Sequence, residues 1–125
     1  MNSDHKLFRI MCKPLVQNGH VQSTAIMPRK TDNCRLSTYD SEHFTPETAF
    51  NHYQSDAKIG VLHITKVDCD DNKLTIDKDN CGFVGHVSVI FDPEWGRGQI
   101  ERVAKILTKQ ALSYGWDYPP DLDIR

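Results

Sequence analysis

The sequence lacks the features that assign a chain to several large functional classes. In 125 residues, no run approaches the roughly 20 apolar residues of a membrane span, and no apolar segment follows the charged start MNSDHKLFR. We therefore expect a cytoplasmic protein with no membrane partner. Fifteen Lys and Arg against 17 Asp and Glu leave a formal net charge of −2. The broad cationic surface that binds nucleic-acid phosphates is missing, so nucleic acid is not an expected partner.

Cysteine is sparse, and its spacing does not suggest a metal knuckle. The four cysteines are Cys12, Cys34, Cys69 and Cys81, and no pair has CxxC spacing. With no N-x-S/T glycosylation site either, free thiols in a reducing compartment are the favoured interpretation. Two disulfide bridges are the alternative for these cysteines. Zinc is considered separately, because His63, Cys69, Cys81 and His86 bracket a proposed hairpin. We expect no metal and no other cofactor, and leave open whether those four residues converge.

Local signatures of catalytic and ligand-binding loops are also absent. There is no GxSxG elbow, no P-loop lysine, and no EF-hand register, since Lys73 stands where the calcium loop starting at Asp68 needs glycine. One weak motif remains: Gly96, Arg97 and Gly98 precede the last helix, whose free amides favour an anion. These three residues form a candidate anion site.

Hydrophobic periodicity predicts a single α+β domain over residues 1–125, with a proline-rich tail at 116–125. Strands are predicted at 6–12, 20–27, 34–39, 58–67, 74–76 and 83–91, and helices at 46–54 and from about 99 to 114. The order β-β-β-α-β-β-β-α indicates a mostly antiparallel sheet of five to six strands with the long C-terminal helix on one face. We expect the first two strands to form a hairpin.

Three segments carry more specific expectations. Residues 58–67 are apolar on nearly both faces, which is typical of a central strand. Residues 68–72 are polar and predict a turn. The last helix presents an apolar stripe of Ile100, Val103, Ala104, Leu107, Ala111 and Tyr114 and is expected to stop at Gly115. The aromatic residues of the tail are expected to fold back onto the body.

Two functions compete. The leading hypothesis is a non-catalytic module that binds another protein, as an immunity protein, antitoxin or defence-system accessory protein does. Exposed aromatic residues and an acidic turn would form its interface: Trp95, Trp116, Tyr118, Asp70 and Asp71. The alternative is a small enzyme or ligand sensor. Its site would lie near Ser37, Tyr39, Asp40 and His86, with Ser37, Asp40 and His86 as catalytic candidates. The oligomeric state is left open.

Four short segments carry a resemblance to a known family. They are Gly19-His-Val-Gln-Ser-Thr-Ala25, Leu36-Ser-Thr-Tyr-Asp40, Thr45-Pro-Glu-Thr-Ala49 and Gly85-His86-Val-Ser-Val-Ile-Phe91. Together they resemble a family of small uncharacterised bacterial proteins with G-x-V-x-S-x-A-F, LS-x-Y-D, TPE and A-H-x-x-I/V-x-F segments. The family often has His-Pro where this chain has Met11-Cys12, and Phe in place of Ile26. The resemblance implies a bacterial, cytosolic protein and implies no activity.

Overall fold

The computed structural model describes residues 1–121 and 124. In this part of the chain the element order is β-β-β-β-α-β-α-β-β-α. The strands are β1 Lys6–Cys12, β2 Val16–Gln17, β3 His20–Val21, β4 Arg35–Asp40, β5 Lys58–Thr65, β6 Thr75–Asp77 and β7 His86–Ile90. The helices are α1 Pro46–His52, α2 Lys66–Asp71 and α3 Arg97–Tyr114.

Five strands form one antiparallel sheet in the order β5-β1-β4-β7-β6, and α3 packs on it against β5. The predicted α+β fold with a long C-terminal helix is confirmed.

The predicted hairpin between the first two runs is wrong: β2 pairs with β3, while β1 lies between β5 and β4. Beyond Val21 the second run leaves the strand conformation. There the amide of Ile26 donates to the Thr108 hydroxyl of α3 at 3.0 Å, which replaces a strand partner.

Strand β5 lies at an edge of the sheet, and its prediction as a central strand is wrong. Its residues Val61 to Thr65 are nonetheless all buried, because α3 covers one face and α1 the other. The tail closes the open edge: Val61 donates to the Tyr118 carbonyl at 3.0 Å, and its own carbonyl accepts from Asp117 at 2.9 Å. Tyr118 also stacks on Phe50 of α1 at 4.3 Å, so the expected folding back of the tail is confirmed.

The predicted turn at 68–72 falls largely within the short helix α2. The Thr65 hydroxyl accepts from the Asp68 amide, and the Asp68 carboxylate accepts from the Thr65 amide at 2.9 Å. This reciprocal cap begins a helix immediately after β5. Acid-rich composition alone is equally typical of a turn, and for that reason the sequence interpretation missed the helix.

Helices α1 and α3 begin and end close to where the sequence predicts. Thr45 caps α1 through the Thr48 amide, and Pro46 occupies the first helical position. Val103, Ala104, Leu107 and Ala111 of α3 are buried as the stripe predicts, and the helix ends before Gly115, whose φ of +88° suits glycine.

The sheet separates two apolar clusters. The larger one lies between the sheet and α3, with Leu62, Phe91 and Leu107 fully buried. The smaller one lies on the opposite face, under α1, and contains Phe8 and Tyr39 with partly buried aromatic rings around them.

We predict that Gly60→Ala detaches the tail from β5. A Cβ at Gly60 would lie 2.7 Å from the Tyr118 carbonyl oxygen and 2.9 Å from the Trp116 ring. The free energy of unfolding should fall by about 1–3 kcal/mol through this overpacking, and hydrogen exchange of the Val61 amide should accelerate. Gly98→Ala is the matched control, because nothing lies within 4 Å of its Cβ. Unchanged protection of Val61 in the Gly60 variant would contradict the assignment.

Candidate functional site

A pocket of about 360 Å³ opens on the face of the sheet that carries α1. Its apolar walls come from β1, β4, the end of α1 and the loop before β7: Ile10, Tyr39, Tyr53 and Phe83. Arg9, Ser37 and His86 contribute polar groups to the lining. An apolar cavity of this size with a few convergent polar groups is typical of a small-molecule site.

The pocket exists because β1 and β4 stay paired over a short length. Their register covers Leu7↔Asp40 and Phe8↔Tyr39. Two residues before Tyr39 in β4, the Ser37 carbonyl accepts a hydrogen bond from Arg9 Nη1 at 3.0 Å. A side chain of β1 thus takes the place of a backbone donor where the cavity forms.

Ser37 and His86 meet across the β4–β7 pairing. Register brings Tyr39 opposite His86 and Ser37 opposite Ser88, so these four side chains share one face of the sheet. The Ser37 hydroxyl lies 3.1 Å from His86 Nε2, and His86 Nδ1 lies 2.6 Å from Asp79 Oδ1. With Nδ1–H donating to Asp79, Nε2 accepts the Ser37 hydroxyl proton. The hydrogen-bond order is that of a Ser-His-Asp triad.

Asp79 is held in its charged form by its neighbours. Burial by itself raises the pKa of the Asp79 carboxyl, but hydrogen bonds from Ser88, His86 and the Cys81 amide outweigh burial and place the pKa below its ordinary value. Ser88 donates to Asp79 Oδ2 at 2.6 Å, and Arg35 Nη1 lies 3.4 Å from the same oxygen. An ionised Asp79 fixes the orientation of His86.

Exposure differs along this chain of groups. The Ser37 side chain is exposed, His86 is 9% exposed, and Asp79 lies between these extremes. A nucleophile open to the pocket, with a buried base and a partly buried acid that orients the base, is an arrangement that suits acyl-transfer chemistry.

An aromatic cluster supports one wall. Tyr39 stacks on Phe83 with ring centroids 5.1 Å apart, and Phe44 meets Tyr39 edge to face at 4.8 Å. The Tyr39 hydroxyl lies 3.0 Å from His52 Nδ1. Burial raises the pKa of Tyr39, so its phenol stays neutral at physiological pH and acts as a wall and hydrogen-bonding group.

Asp40, a catalytic candidate from the sequence, is placed away from the pocket. Alternation along β4 turns it to the face opposite Ser37, where it is 1% exposed. His5 Nε2 lies 2.5 Å from its Oδ1, and the Glu42 amide donates to the same oxygen at 3.0 Å. The acid beside His86 is instead Asp79. Its place in a polar segment after β6 carried only a turn signal in the sequence.

The four residues considered for zinc do not converge. His63 on β5 and His86 on β7 are separated by two strands, roughly 14 Å at the usual spacing. His63 is paired with Asp117 at 2.7 Å, Cys81 is exposed, and burial raises the pKa of the Cys69 thiol to about 12. Residues 1–121 and 124 hold no cluster of three or more potential metal ligands.

The aromatic residues expected at a partner interface are not fully exposed. Trp95 and Trp116 are partly buried against the larger apolar cluster, and Tyr118 against the smaller one. Asp70 and Asp71 are exposed on α2, with Asp70 paired to Lys66. The two acids keep the exposure that an interface requires, whereas the three rings contribute mainly to packing.

The candidate anion site lies at the start of α3. Gly96 caps the helix with its backbone, and Arg97 and Gly98 form the first turn. The Arg97 guanidinium turns along the helix to Glu101 at 2.9 Å. Nothing further in the described contacts of these residues indicates a ligand.

Comparison of the chain with protein-family models, with curated proteins and with solved structures found no match. The resemblance to a bacterial family therefore stays a prediction. Among the described residues, no helix combines the length and the apolar character needed to cross a bilayer.

Proposed function

We propose that the protein is a small hydrolase that transfers an acyl group from an ester to Ser37 and then to water. The observation that carries the proposal is the continuous hydrogen-bond chain from the exposed Ser37 hydroxyl through His86 to Asp79, opening into an apolar pocket. This is the enzyme alternative predicted from the sequence, with Asp79 in place of Asp40.

In the first step, Ser37 Oγ attacks the ester carbonyl carbon while His86 Nε2 accepts the hydroxyl proton. The charged Asp79 stabilises the imidazolium through Nδ1–H. Collapse of the tetrahedral intermediate breaks the bond to the leaving alcohol, which takes the proton from His86. Water, deprotonated by His86, then releases the acyl group as a carboxylic acid and restores Ser37.

The most direct functional test uses an activated ester such as 4-nitrophenyl acetate. We expect release of nitrophenolate above the buffer rate. Protein quenched in acid during turnover should carry the mass of one acetyl group on the peptide containing Ser37. Ser41→Ala is the matched control and should behave as wild type, because Ser41 follows β4 outside the pocket lining. A wild-type protein with no ester hydrolysis above buffer would contradict the proposal.

Binding of a partner protein, a bacterial origin and a cytoplasmic location stay predictions. The exposed acids Asp70 and Asp71 are the part of the predicted interface that the fold leaves accessible. Substituting both by Asn should reduce association with a basic partner and leave acyl transfer at Ser37 unchanged, since α2 does not line the pocket.

A further inference from the structure

Arg9 brings a positive charge to the pocket. It lies in the middle of β1, between Phe8 and Ile10, both of which are buried and belong to the smaller apolar cluster. Its side chain is partly buried and lines the pocket. Removing a guanidinium from water is costly, and a fold retains such a group where it has a partner.

The described residues leave much of this guanidinium unsatisfied. Nη1 donates to the Ser37 carbonyl, while Nε is buried with no hydrogen-bond partner. A guanidinium has five N–H donors. The ion pairs among residues 1–121 and 124 do not include Arg9. The side chain therefore retains donors and a full charge for another group.

Neighbouring charges do not neutralise Arg9. The carboxylate among the groups that influence the pKa of Arg9 is Asp32, and it is engaged by Arg29 through Nε at 3.0 Å. Burial lowers the pKa of Arg9, yet an arginine side chain remains protonated in proteins at neutral pH. An unneutralised cation beside the apolar walls of the pocket favours binding of an anion.

We propose that Arg9 binds the carboxylate of the substrate, so that the hydrolase acts on esters that carry a carboxylate on a flat apolar body. The planar guanidinium matches a carboxylate in geometry, and the rings of Tyr39, Tyr53 and Phe83 give the pocket apolar walls for a flat body. A single negative charge fits better than a phosphate dianion, since Arg9 is the one Lys or Arg in the described lining.

The substrate class rests on the proposed hydrolase function, whereas carboxylate binding does not. For this reason the test has two separate readouts. The first compares hydrolysis of 4-acetoxybenzoate with hydrolysis of its neutral analogue 4-acetoxybenzamide. The second measures binding of 4-hydroxybenzoate and 4-hydroxybenzamide to the Ser37→Ala variant by calorimetry, where no chemistry takes place.

We expect wild-type kcat/KM to be about 10- to 100-fold higher for 4-acetoxybenzoate than for 4-acetoxybenzamide, which is the range of one charge-assisted interaction. Ser37→Ala should bind the acid more tightly than the amide by a similar factor. Arg9→Gln should remove both preferences. Arg9→Lys should retain part of the preference, because it keeps the charge and loses the fork geometry.

If Ser37→Ala binds 4-hydroxybenzoate and 4-hydroxybenzamide equally, the proposed carboxylate site is overturned. This result needs no Arg9 variant, so it remains decisive if Arg9→Gln does not fold. An acid preference that survives Arg9→Gln also overturns it. Arg9-dependent binding of the acid without hydrolysis of either ester supports the carboxylate site and contradicts the hydrolase. Hydrolysis of both esters at equal rates supports the hydrolase and contradicts the carboxylate site.

Discussion

Substituting His86 by asparagine is expected to lower the rate of acyl transfer to Ser37 by at least about 1,000-fold. Asparagine has no basic nitrogen to accept the hydroxyl proton that His86 Nε2 takes at 3.1 Å. The rate is measured as release of nitrophenolate from 4-nitrophenyl acetate, with the folded fraction determined by circular dichroism. Ser37→Ala should remove the acetylated protein altogether.

Substitutions of two aspartates show whether the Ser37–His86–Asp79 hydrogen bonds serve catalysis or only hold the structure together. Asp79→Asn keeps the shape of the group that orients His86 but removes its charge, and should reduce acyl transfer by about 100- to 10,000-fold. Asp40→Asn, on the opposite face, should leave the rate per folded molecule within about twofold of wild type. Equal rates for wild type and the Asp79 variant would mean that the Ser37–His86–Asp79 bonds hold the sheet and take no part in chemistry.

Asp40→Asn is expected to have its large effect on stability, with a loss of about 2–3 kcal/mol in the free energy of unfolding at pH 7. The carboxylate is buried and satisfies His5 and the Glu42 amide, and Lys78 Nζ lies 3.8 Å away. An asparagine presents an amide nitrogen to one of these donors. Urea denaturation of both proteins measures the difference.

The difference in unfolding free energy between wild type and Asp40→Asn depends on pH, and the direction of the pKa shift of Asp40 sets this dependence. Burial alone raises the pKa of the Asp40 carboxyl, but hydrogen bonds from Glu42 and His5 outweigh it, and the folded-state pKa lies below the ordinary value. Ionised Asp40 therefore contributes its full stabilisation above about pH 4, the pKa of an unfolded aspartate. The contribution falls as pH drops through the folded-state pKa. A wild-type advantage that stays constant down to pH 2 would contradict this assignment.

Local patterns in the sequence predict most of the helices and strands, but they do not predict which strands pair in the sheet. The stripe of α3 and the Thr45-Pro46 start of α1 are set by residues a few positions apart, and both are found as predicted. Strand pairing depends on distant residues. The edge position of β5 follows from the sheet order, in which β1 is its strand neighbour, and hydropathy does not predict it because a buried edge strand and a central strand have the same hydropathy.

The candidate site shows the same limit. Ser37 and His86 were predictable as a pair of polar residues on β-strands, and the β4–β7 register brings them together. The role of Asp79 was not predictable, because a residue in an irregular segment has no periodicity that places it relative to the strands. Arg9 carried no signal either: a charged residue in a strand ordinarily faces water, and its partial burial follows from the separation of β1 and β4 beyond Tyr39.

Covalent labelling with a fluorophosphonate tests the central claim most directly, because this reagent reacts with a serine whose hydroxyl is activated by a base. The protein is incubated with the reagent, digested and mapped by peptide mass spectrometry, with denatured protein as the control. We expect one phosphonylated residue, Ser37, in the folded protein, and no label after His86→Asn substitution. Label spread over several serines, label confined to other residues, or no label on folded protein would contradict Ser37 as an activated nucleophile.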